Sequence, residues 1–103
     1  MKKALPLAAG LAVVLINTLF QVGRGTQCEV HLPDARVALV HARISLGAQG
    51  GAVMEGVEQR FVHNDREVQG ATLAVGDHVE VGPFVLTVEE PPPEIPLALS
   101  LRL

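Results

Sequence analysis

One hundred and three residues are enough for one domain and too few for two. The chain is 49% hydrophobic but 3% aromatic, so its core is assembled from Val, Leu, Ala and Ile around three Phe, and that much aliphatic side chain excludes intrinsic disorder. A single Cys excludes an internal disulfide framework and a Cys-based structural zinc site. A net charge of −3 with eight Lys and Arg excludes a broad phosphate-binding face for nucleic acid. The charge is also unevenly placed. Residues 1–50 hold five basic and two acidic side chains, and residues 51–103 hold three basic and nine acidic ones.

Two readings fit the amino-terminal segment. Lys2 and Lys3 precede a stretch from Ala4 to Gly23 without a charge, the pattern of a secretory leader or a membrane anchor. Pro6 and Gly10 interrupt it, however, and no small-x-small cleavage pattern follows. The alternative is two buried strands, Ala4–Leu7 and Leu11–Phe20, turned by Ala8-Ala9-Gly10, with Val13, Val14 and Ile16 favouring extended backbone.

Beyond residue 24 short runs alternate apolar and polar residues, and none keeps a helical period over three turns. Alternation predicts strands at Glu29–Leu32, Ala42–Leu46, His78–Val81 and Phe84–Val88. Pro33-Asp34, Gly47 to Gly51, Asn64-Asp65, Gly76-Asp77 and Gly82-Pro83 supply the turns between them. Arg60 and Arg66 around Phe61, interleaved with Glu58, Asp65 and Glu67, read as a mixed-charge hairpin. Turn residues at such intervals predict an all-β antiparallel sandwich of about ten short strands. Glu89 to Pro96 contains four Pro and three Glu and reads as an acidic extended linker. The expected organisation is therefore a sandwich over 1–89, a linker over 90–96, and a terminal strand, or the start of a further region, over 97–103.

Three segments resemble the forkhead-associated (FHA) family. Phe20-Gln21-Val22-Gly23-Arg24 followed by Thr26 to Asp34 looks like its first signature, His41-Ala42-Arg43-Ile44 like its His-Ala-x-Ile strand, and Leu73 to Gly82 like its Leu-x-x-Gly-Asp-x-Ile-x-Ile-Gly segment. The resemblance covers about residues 11–89. It implies that the first twenty residues are sheet, because strands must precede the Gly-Arg, and that the chain is cytoplasmic. It also implies a non-catalytic domain that reads phosphothreonine peptides through loops at one end.

In that family the Gly-Arg arginine, a serine three residues before the histidine and a loop asparagine hold the phosphopeptide. Arg24 matches the first, with Gly23 and His41 as supports of the loops. The serine position is Ala38, the basic residue that often follows is Leu39, and the Ser-x-Asn-Gly-Thr loop falls near Val57 to Phe61. Gln59 is the stand-in for the asparagine, beside a Glu58 that repels phosphate, and Asn64 belongs to the second Asn-Gly turn. Arg24, Gln59 and Asn64 are thus the ligand-binding candidates if a phosphopeptide site is active. With most of the donors replaced, the expectation is a protein-interaction or assembly module whose phosphothreonine binding is lost. The alternatives are a working phosphothreonine reader and a secreted or membrane-anchored β protein. FHA-like domains without the serine resemble the cytoplasmic domains that begin bacterial membrane proteins such as secretion-ring components, so a membrane-protein context through a further carboxy-terminal region is expected. No enzyme, cofactor or metal site is expected: His31, His63 and His78 lack ligand spacing and read as solvated, and Cys28 reads as a packing residue.

Overall fold

A computed structural model describes residues 4–6, 12–15, 19–47, 51–93 and 97–103. Its strands are β1 (Ala4–Pro6), β2 (Ala12–Leu15), β3 (Leu19–Gly23), β4 (Val30–His31), β5 (Ala42–Leu46), β6 (Ala52–Gly56), β7 (Phe61–His63), β8 (Arg66–Val68), β9 (Gly70–Leu73), β10 (His78–Val81), β11 (Phe84–Glu89) and β12 (Leu97–Arg102). They form two sheets, a seven-stranded one in the order β1-β2-β12-β11-β10-β7-β8 and a five-stranded one in the order β4-β3-β5-β6-β9. All neighbours pair antiparallel except β3 and β4, which run parallel through Val22↔Val30 and Gly23↔His31. Among the described residues no helix is long and apolar enough to cross a membrane.

Period-two burial drives this arrangement. In β10, Val79 and Val81 are buried while His78 and Glu80 face out, and in β6 Ala52 and Met54 are buried while Val53 and Glu55 face out. The two inner faces meet around Phe20, Phe61, Ile44, Met54, Leu32, Leu86 and Leu99, all essentially inaccessible, with Phe84 packed at the margin. With so few aromatic rings, the core depends on branched aliphatics filling space between two phenyl groups. Removing either ring is expected to cost about 3–5 kcal/mol.

The all-β sandwich expected from the alternation is present, with twelve strands among the described residues in place of about ten. Two details differ. First, the strand expected over Leu11–Phe20 is divided: β2 lies in the larger sheet and β3 in the smaller. The hydrophobic pattern carries no mark of where a chain crosses from one sheet to the other. The turn expected at residues 8–10 lies outside the described residues. Second, the sandwich does not stop at residue 89. β12 sits between β2 and β11, with Leu97↔Leu15 on one side and Leu99↔Val88 on the other. β11 and β12 are therefore neighbouring strands of one sheet, and Leu97, Ala98 and Leu99 are buried. Residues 4–6 and 12–15, which a leader or anchor reading would claim, are strands of the same sheet.

A cluster of loops at one end

Three connections gather at one end of the sandwich: β3–β4 (24–29), β4–β5 (32–41) and β6–β7 (57–60). The β10–β11 turn adjoins them, because Gly82 lies against Val37 and Arg36. Gly23 closes β3 where the second connection passes. A Cβ there would collide with the Leu39 carbonyl oxygen, so only glycine permits the approach. Backbone bonds then lace the loops together, Arg24 N–H to the Ala38 carbonyl at 2.9 Å and Gly25 N–H to the Leu39 carbonyl at 3.0 Å.

His41, 4% exposed, is the centre of this lacing. Its Nδ1 accepts from the Ala38 N–H at 3.2 Å, so that nitrogen carries no proton. The proton is on Nε2, which donates to the Arg60 carbonyl at 2.9 Å. Its main chain bonds Val22 on β3 and Val57 on the β6–β7 connection. One neutral imidazole thus fixes two loops relative to each other and to the sheet.

Arg24 is exposed, yet its polar groups nearest the backbone are committed. Nε donates to the Val37 carbonyl at 2.9 Å, and His31 Nε2 donates to the Arg24 carbonyl at 3.1 Å. Its terminal amino groups have no hydrogen-bond partner among the described residues and face solvent. The second loop arginine, Arg36, is engaged by Asp34, whose Oδ1 accepts from Arg36 N–H and Nε at 2.8 and 3.0 Å. Those bonds hold the Asp34 carboxyl below its usual range.

Cys28 is buried beside Leu39, its thiol donating to the Leu39 carbonyl at 3.3 Å. Burial pushes the thiol pKa up, with Glu29 and Glu58 adding to the rise, so it stays protonated at neutral pH. Glu58 reaches across from the β6–β7 connection, and its Oε2 accepts from the Val40 N–H at 3.2 Å. An N–H of the β4–β5 connection is thereby capped by the protein's own carboxylate. Leu39 and Val57 point outward beside it, 51% and 45% exposed. Next to them lies an open depression of about 370 Å³ lined by Val57, Glu58, Gln59, Arg60, Glu67 and Gln69.

Of the residues singled out from the sequence, Arg24, Gly23, His41 and Gln59 come together here. Asn64 does not. It sits at the far end of β7, in the turn to β8, where it and Asp65 take φ of 48° and 72°. Both positions need the left-handed region, which Asn and Asp tolerate, so the residue type serves a two-residue hairpin. Its Oδ1 accepts from the His78 N–H at 2.9 Å. Nor are the other histidines merely solvated. His63 Nε2 donates to Asp77 at 2.8 Å, His78 pairs with the Thr87 hydroxyl, and His31 braces Arg24. The Glu58–Val40 and Cys28–Leu39 contacts were not legible in the sequence, because each joins loops whose paths no local pattern specifies.

Comparison with known proteins agrees with this geometry. The FHA domain of the CT664 protein from Chlamydia trachomatis superposes with a TM-score of 0.66 at 19% identity, covering 97% of this chain and 92% of that one. The FHA-2 domain of the ABC transporter Rv1747 from Mycobacterium tuberculosis gives 0.65 at 20% identity, covering 100% and 89%. The FhaA FHA domain complexed with the intracellular domain of Rv3910 gives 0.61 at 22% identity, covering 95% and 86%. At these identities the likeness is one of fold. No curated protein sequence matches the chain. A family profile described as "Inner membrane component of T3SS, cytoplasmic domain" matches residues 7–92. That span takes in all three loops and strands of both sheets, and the chain therefore belongs to this family of FHA-type domains.

Proposed function

We propose that the chain is a non-catalytic protein-interaction module that uses its loop end to dock an unphosphorylated protein surface. The observation that carries this reading is the Glu58 carboxylate on the Val40 N–H. A phosphate group needs guanidinium and neutral donors around it and no fixed negative charge. Here a carboxylate occupies a donor of the loop cluster, Ala38 and Leu39 offer neither hydroxyl nor cation, and the Arg24 Nε is turned to the backbone. Each missing charge-assisted bond weakens binding by about 1.5–3 kcal/mol. Two or three such losses take a micromolar phosphopeptide to the millimolar range or beyond. What faces solvent instead is Leu39 and Val57 with Arg24 and Glu58, an apolar-and-charged surface of the kind protein interfaces use.

The FhaA FHA domain complexed with an intracellular domain supports a protein partner for this fold. The family description supports a place on the cytoplasmic side of an inner membrane, as one part of a longer membrane protein. The test is calorimetric titration of a phosphothreonine peptide library and its unphosphorylated duplicate into the chain. No preference for phosphate is expected. A preference of tenfold or more that vanishes in Arg24→Ala overturns the proposal and makes the chain a phosphothreonine reader.

A further inference from the structure

β9 is the outer strand of the five-stranded sheet, paired on one side to β6 and on the other to nothing among the described residues. Exposed strand edges are pairing templates, and folded proteins blunt them with charge, proline or shortness. The other edges that can be read here follow that rule. β8 presents Arg66 and Glu67, and β4 is two residues long and ends in His31. β9 does not. From Gln69 to Gly76 the chain reads Gln-Gly-Ala-Thr-Leu-Ala-Val-Gly, with no charged residue and no proline.

The phase of the ladder fixes which groups point outward. Gly56 N–H donates to the Gln69 carbonyl at 2.7 Å, and Glu55 lies opposite Gly70. In an antiparallel pair, bonded and non-bonded positions alternate. Ala71 and Leu73 therefore exchange bonds with β6, while Gly70 and Thr72 turn their N–H and C=O groups to the open edge. Both residues are exposed.

We propose that this edge pairs with the same edge of a second copy of the chain. The choice of occupant follows from self-complementarity. In a twofold antiparallel arrangement centred on Ala71, Gly70 meets the second copy's Thr72 and Thr72 meets the second copy's Gly70, so every outward polar group of the pair is used. Side-chain faces match, since Gly70 and Thr72 both lie on the outer face of the sheet. No charge meets a like charge. Glu55 stands next to Gly70, and in the row across the interface it is followed by the second copy's Thr72 and then Val53, which is 42% exposed. Glycine, alanine and threonine leave room for the close approach of two backbones. The result is a ten-stranded sheet continuous through two molecules. This inference stands independently of what the loop cluster binds.

Two residues per copy make a small interface, so the dimer is weak, with a dissociation constant on the order of 10⁻⁴ M or higher. The test is sedimentation and amide NMR of the full 103-residue chain from tens of micromolar to millimolar. Mass is expected to rise toward twice the monomer, with the Gly70 and Thr72 amides showing the concentration-dependent shifts. Thr72→Pro removes an outward N–H and no bond to β6, so it is expected to fold and remain monomeric, and Thr72→Lys does the same by charge. In the proposed register the two Ala71 residues are a non-bonded pair with Cα atoms about 4.5 Å apart, close enough for a disulfide. Ala71→Cys is accordingly expected to cross-link under mild oxidation. A chain that stays monomeric at millimolar concentration overturns the inference. So does a dimer untouched by both Thr72 variants, or a β9 edge found to take a strand of some other protein while the chain itself stays single.

Discussion

The two ends of this sandwich are held by polar clusters of opposite kind. At the loop end a buried neutral histidine, His41, ties carbonyl to amide, and no ionised group takes part in its two bonds. At the other end Asp77 does the tying as an anion, accepting from His63 Nε2 at 2.8 Å and from the Ala74 N–H at 2.9 Å. The hydrogen bond from His63 is the main cause, with Ala74 and Asn64 adding to it, of an Asp77 pKa lowered to about 2. The difference shows in the hydrogen bonds: His41 Nδ1 accepts from a backbone N–H, a role only the neutral imidazole can play. Asp77 stays partly wet, and ionisation strengthens its bonds at little desolvation cost. At the loop end Arg24 Nε and the Glu58 carboxylate add bonds of their own to the loops, while the Arg24 terminal amino groups, Leu39 and Val57 are left for a partner.

The sharpest way to break the comparison is His41→Ala. It strands the Ala38 N–H and the Arg60 carbonyl together, and each unsatisfied group costs about 1–3 kcal/mol. Urea denaturation is expected to show a loss of about 2–5 kcal/mol, with the loop amides of 38–40 and 57–60 losing protection before the rest of the sheet. A loss below about 1 kcal/mol contradicts the staple role. Gly23→Ala comes next at about 1–3 kcal/mol, because overpacking moves the β4–β5 connection off β3. Its signature is the same loop deprotected while His41 is intact.

These two residues were legible in the sequence for one reason: the Gly-Arg and His-Ala-x-Ile runs fix both their type and their spacing. Core positions were legible through alternation, as at Val79, Val81, Leu86 and Val88. What lay hidden was whatever depends on where a chain goes between strands. Leu97 to Leu103 alternates as clearly as β10, but nothing local says that it slots between β2 and β11, and the prolines before it resemble a linker. The family resemblance groups Asn64 with Arg24 through the second Asn-Gly turn, but an Asn in that place also suits a left-handed hairpin turn. The turn claimed it.

Asp77→Asn is expected to cost less at neutral pH than either loop-end change, and its effect has a pH signature. A carboxyl whose folded pKa lies below its unfolded value of 3.8 stabilises fully above that value and loses its contribution as pH falls through about 2. Wild-type stability is expected to fall across that window, while the Asn variant, which has no proton to take up there, shows a flatter profile. Equal slopes in the two proteins, measured by urea midpoints between pH 2 and 5, contradict the anionic staple.

The smallest expected effect concerns the surface that the neutral staple leaves free. Leu39 and Val57 are about half exposed, so removing their side chains forfeits little of the core. Leu39→Ser and Val57→Ser are each expected to change stability by no more than about 0.5 kcal/mol, as surface substitutions do. Binding is another matter. If these residues anchor the partner, the double variant loses most of its affinity with its fold and melting temperature intact. Stability and binding then separate at the loop end, whereas an equivalent exposed apolar change at the other end, Val75→Ser, leaves both unchanged. A double variant that binds as before places the partner elsewhere on the sandwich, and the rigid loop cluster is then structural alone.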